Sequence, residues 1–122
     1  MQIDIWGREN QYLVDAIGEA WRRLPRDVQQ RLDHIVFTKG RYKRPSWASA
    51  GEHDIDFSAA PPSTKAMIGL CAHELAHVVH RHAQQLRAGA ISTQEAERQA
   101  DRTARLWGFE DELREAYFFK GD

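Results

Sequence analysis

With 122 residues, 42% of them hydrophobic and 29% charged, the chain can build one compact core and is too short for two. A formal net charge of -1 with scattered basic residues excludes a global field that would favour nucleic acid. The single cysteine, Cys71, excludes an internal disulfide, and no run approaches the roughly 20 apolar residues of a membrane span.

Near the N-terminus, MQIDIWGREN has no basic start followed by an apolar run, so no signal peptide is expected. Leu13, Val14, Ile17, Ala20, Trp21 and Leu24 then recur at helical spacing, with Asn10 placed to cap and Pro25 to stop. Asp27 to Leu32 predicts a short second helical turn. His34 to Lys39 is rich in β-formers and ends at Gly40, which predicts a strand. Arg41 to Gly51, basic and aromatic with Pro45 and Gly51, reads as a loop. Asp54-Ile-Asp-Phe57 alternates polar and apolar and predicts a half-exposed strand at a sheet edge.

The main helix is expected from about Pro62 to Leu86, opened by Pro61 and Pro62 and stopped before Gly89. Its buried stripe is Ile68, Cys71, Ala72, Leu75, Val78, Val79 and Leu86. Ser92-Thr-Gln-Glu95 matches a capping box and starts another helix through Trp107 to Gly108. The tail from Glu110 is acidic and then aromatic. Leu113, Ala116, Tyr117 and Phe119 or Lys120 give it an apolar face, so it predicts a last helix packed on the core or laid in a cleft. Repeats and inter-domain linkers are absent, and residues 1–122 read as a single domain.

Chemistry concentrates in His73-Glu-Leu-Ala-His77. Helical residues four apart project from one face, so both imidazoles can reach one ion. Glu74 lies about 100° round from His73, beside the metal rather than on it, where it can take a proton from water. Catalytic zinc usually adds a third protein ligand and keeps one open position. Glu97-Arg-Gln-Ala-Asp101 on the next helix offers that ligand. Glu97 can bind Zn2+, while Asp101 can hydrogen-bond the far nitrogen of a ligating histidine. The plainer alternative makes both of them solvated carboxylates, or i,i+4 partners of Arg98, Arg102 and Arg105. Glu95 points about 160° from Glu97 and belongs to the cap.

His73-Glu74-x-x-His77 followed by Glu97-x-x-x-Asp101 resembles the gluzincin metallopeptidases. HELAHVVHRH, with Arg81 and His82 after the zinc motif, looks like the membrane metallopeptidases of the prenyl-protein-processing and heat-shock group. The short gap between His77 and Glu97 is more similar to the minimal soluble minigluzincins and to antirepressor-type peptidases. The resemblance covers about Ile55 to Gly108. It implies an α+β zincin-like minimal fold: a backing helix, a small sheet whose edge strand binds substrate, an active-site helix and a glutamate helix.

The resulting expectation is a cytoplasmic zinc endopeptidase with Glu74 as general base. It would act on a peptide or protein substrate without nucleic acid or membrane, in an oligomeric state the sequence does not specify. Two other readings share its ligands: an antirepressor-like regulatory or partner-binding module, and a zymogen-like form whose tail blocks the cleft. His80 is expected at the cleft rim and His82 in the core. Tyr42, His53 and Tyr117 are candidates for stabilising an oxyanion. Trp6, Trp21, Trp47 and Trp107 read as core or loop anchors.

Overall fold

The β-formers before Gly40 fold as β2 (Val36–Lys39) in a computed structural model that describes residues 1–42, 47–58 and 63–120. With β1 (Gln2–Asp4), β3 (Ala48–Ala50) and β4 (Asp54–Phe57) it makes a sheet in the order β1-β2-β4-β3. β1, β2 and β4 run parallel, and β3 returns antiparallel to β4. Parallel neighbours need a crossover, which α1 (Gln11–Arg23) and α2 (Arg26–Arg31) supply between β1 and β2. The fold is mixed α+β.

Two expectations about the sheet are corrected. Asp54–Phe57 is not an edge strand, because β2 and β3 flank it and Ile55, Asp56 and Phe57 are all buried. Asp56 can be buried because its carboxylate accepts from the Thr38 hydroxyl at 2.6 Å and from the Arg41 and Tyr42 N–H groups at 3.0 Å each. The polar–apolar alternation therefore marks satisfied burial, not a wet face. The edge is β3, which lies inside the segment read as a loop. β1, the opposite edge, was not expected either.

α1 buries Leu13, Ile17 and Ala20, as its spacing predicts, and Ala16 besides, while Val14 and Trp21 are only partly buried. Asn10 occupies the cap position without a side-chain cap bond, and its amide donates instead to the Trp6 carbonyl at 2.6 Å. Trp6 itself is exposed, while Trp21, Trp47 and Trp107 pack against the core.

α3 (Thr64–Val79) starts where the Ser63 hydroxyl accepts from the Ala66 N–H at 3.0 Å. Pro61 and Pro62, expected to open it, lie outside the described residues. Flanked by α1, by the sheet and by two later helices, α3 is buried nearly all round rather than along one stripe. It does not continue to Leu86. Arg81 adopts left-handed backbone (φ 59), and α4 (His82–Arg87) sets off in a new direction with Leu86 exposed. α5 (Thr93–Leu106) matches its expected span. Ser92 accepts from the Glu95 N–H at 3.1 Å, and Gly108 closes the helix at φ 97.

The tail packs. α6 (Glu110–Lys120) lies along α3 and buries Leu113 and Ala116, with Phe109 buried just before it. The side chain of Phe119 lies outside the described set. Arg23 anchors the start of α6, stacking over Phe109 and meeting Glu112 at 3.0 Å.

Gly69 allows α3 and α6 to approach this closely. A Cβ there would strike the Glu112 carbonyl and lie 2.8 Å from the Leu113 nitrogen, and both are backbone atoms that cannot swing aside. Gly69→Ala gains about 1 kcal/mol in helix propensity, but overpacking typically costs about 1–3 kcal/mol. With backbone as the obstacle, the upper end of that cost applies, and we expect a net loss of about 2 kcal/mol, read as a thermal midpoint lowered by roughly 5–10 °C. An unchanged or raised midpoint would show that α6 yields freely. Among the described residues, no helix is long and apolar enough to cross a membrane.

Candidate metal centre

Burial of α3 carries three ionisable side chains inward: His73, Glu74 and His77 are 5%, 7% and 8% exposed. Buried polar groups of this kind need partners or an ion. α5 brings Glu97 to them, its carboxylate half exposed on the open side. Glu97 Oε2 lies 2.9 Å from His73 Nε2, Oε1 lies 3.0 Å from His77 Nε2, and the two imidazole nitrogens are 3.1 Å apart. Small residues Ala96, Ala100 and Ala104, all buried, let α5 come this close to α3. The hydrogen bond with His73, first, and the His77 ring beside it hold the Glu97 carboxyl well below the usual carboxylate range, against the cost of burial.

The donor set fits a zinc ion. One ligand atom from each of His73, His77 and Glu97 lies within 4.8 Å of the others, and they are the trio with this property among the described residues. Two nitrogens on one tetrahedral zinc at about 2.0–2.1 Å stand roughly 3.3–3.4 Å apart, a few tenths beyond the observed separation. Two imidazoles and one carboxylate are a donor set that zinc accepts, as do other first-row divalent ions.

Around the trio the structure departs from expectation. Asp101, expected to orient a ligating histidine, instead accepts from the Tyr117 hydroxyl and meets Arg105 Nε at 2.9 Å. It ties α5 to α6. The far nitrogen of His77 is engaged by His82, whose Nδ1 lies 2.8 Å away. His82 is 1% exposed, and its Nε2 is 2.9 Å from Gln99 Oε1. Sequence reasoning assigned His82 to the core and did not consider Gln99. The need of every ligating histidine for an outer partner was the signal that could have found them. His80 reaches Thr103 Oγ1 at 2.6 Å and stacks on His82, so it braces α3 against α5.

Of the candidate oxyanion donors, Tyr117 is committed to Asp101. Burial, with that carboxylate beside it, pushes its hydroxyl above the ordinary tyrosine range. His53 is largely exposed beside Glu52. Tyr42 lines a cavity of about 220 Å³ with Ser49, Ala50, Gly51 and Asp54, at the β3 edge. Cys71 is fully buried, and desolvation, then the Glu74 charge, pushes its thiol up, so it is inert packing. No tail carboxylate joins the trio among the described residues; Glu110, Asp111 and Glu112 pair with arginines instead.

No family model, curated protein or solved structure matches this chain.

Proposed function

We propose that the chain is a zinc-dependent peptidase of the gluzincin type, with His73, His77 and Glu97 as ligands and Glu74 as general base. The observation that carries this reading is the convergence of Glu97, from a separate helix, on two buried imidazoles one turn apart, with Glu74 buried between them in sequence. Solvated surface histidines would need no such burial. Zinc, when bound, supplies a Lewis acid that polarises the scissile carbonyl and makes water a competent nucleophile near neutral pH.

The chain's own residues do the rest. Glu74 takes the proton from the attacking water and delivers it to the leaving nitrogen as the peptide bond breaks. An extended peptide adds to the sheet along β3, which packs against α3, and not along β4, which is interior. Tyr42 stands beside that edge and can contact the bound chain. Main-chain pairing reads little side-chain identity, so broad selectivity is expected.

The direct test is elemental analysis after zinc-replete purification. About one zinc per chain is expected, with His73→Ala, His77→Ala and Glu97→Ala each losing it. Metal-free wild-type protein that melts identically with and without zinc would overturn the reading. Zinc without hydrolysis would favour the partner-binding module.

A further inference from the structure

We propose that His82, Gln99 and Glu95 form a directional hydrogen-bond relay that leaves Nε2 of His77 bare for the ion, making His82 and Gln99 positioning residues. The inference rests on the metal-site reading, but it assigns residues that reading does not use. It begins at the outer end. Glu95 is a carboxylate, an acceptor only, and Arg98 Nε holds one of its oxygens at 3.0 Å. Its other oxygen accepts from the Gln99 amide nitrogen at 3.3 Å, which fixes which way that amide faces. Gln99 therefore turns its carbonyl oxygen to His82 Nε2, 2.9 Å away, and can only accept there.

The proton positions then follow in sequence. Neutral His82 carries its proton on Nε2, so its Nδ1 is bare. At 2.8 Å, that bare Nδ1 must accept from His77 Nδ1–H. Neutral His77 is left with a lone pair on Nε2, the atom facing His73 and Glu97 at 3.1 and 3.0 Å. Reversing any link would put a proton on Nε2, in the place of the ion. His82 is too buried to turn to water for another partner, so its tautomer is set by Gln99. The relay also joins three elements: α3 supplies His77, α4 His82, and α5 both Gln99 and Glu95.

Two measurements test it. Gln99→Met keeps the volume and helix propensity of a partly buried position and removes the acceptor. Zinc affinity by chelator competition is expected to fall by roughly 10- to 100-fold. The metal-free melting temperature should fall by a few degrees as well, because His82 Nε2 is left buried without its partner, so recovery of affinity in an exchange variant is what separates direction from packing. The exchange variant Glu95→Gln/Gln99→Glu retains an acceptor for His82 and a donor behind it, and is expected to keep wild-type affinity. Long-range proton–nitrogen NMR of zinc-loaded wild type should show His77 protonated at Nδ1 and His82 at Nε2.

Unchanged zinc affinity in Gln99→Met, or a His82 proton on Nδ1 in the wild type, overturns the relay alone. Wild-type protein that binds no zinc overturns the relay together with the site.

Discussion

Glu74→Gln is expected to keep the fold and the zinc while lowering peptide hydrolysis at least about 100-fold. The substitution conserves volume in a residue only 7% exposed, and it replaces a buried charge with a neutral amide, so packing is not at risk. Glu74 is not one of the converging ligands, so ion affinity should survive. What disappears is the only capacity the amide lacks, accepting and returning a proton. The loss corresponds to about 2.7 kcal/mol or more of transition-state stabilisation. It should fall on kcat and kcat/KM alike, because proton transfer is made in the transition state and not on binding. Steady-state turnover of a generic peptide by zinc-loaded protein gives the answer, and wild-type turnover would remove Glu74 from the chemistry.

Cutting the chain after Gly108 is expected to abolish its cooperative thermal transition. The cut removes Phe109, Leu113 and Ala116, all buried, and uncovers the α3 face on which they lie. Burying one large apolar side chain contributes about 1.5–3 kcal/mol, so Phe109 and Leu113 together approach the lower end of the roughly 5–15 kcal/mol that holds a domain folded. The Arg23–Glu112 pair and the Tyr117–Asp101 bond are lost with them. A cleft-blocking tail predicts the opposite: a stable truncated protein that cleaves peptides faster. Melting and hydrolysis measured on the same variant separate the two, and a cooperative melt with raised activity would restore the blocked-cleft reading.

The convergence of His73, His77 and Glu97 was legible because its information is local. The four-residue spacing of His73 and His77 needs only a helix, and Glu97 needs only a second helix with small residues facing the first. What escaped was set by tertiary context. β3 is Ala-Ser-Ala and β1 is three residues long, so neither offers a run of β-formers, and pairing with a neighbour makes them strands. Asp56 looked solvated because its three donors come from elsewhere in the chain. Asp101 looked like a histidine's partner because its position on α5 is right, yet Tyr117 from α6 claims it first. His82 was rightly placed in the core, but its contact with His77 was not foreseen, because an arginine with no sequence signal for left-handed backbone ends α3.

That single left-handed residue makes the spacing between His77 and His82 a matter of counting. On an unbroken helix, residues five apart would point about 140° from each other, and their rings would not meet. Here Arg81 is exposed and sits in a turn, the kind of place where chains usually tolerate an added or lost residue. This turn should not. One residue more or fewer between Val78 and Arg81 would rotate α4 and swing His82 away from His77, without touching any residue that faces the ion. The pairing of His77 with His82 therefore depends on the length of this turn rather than on the side chain of Arg81.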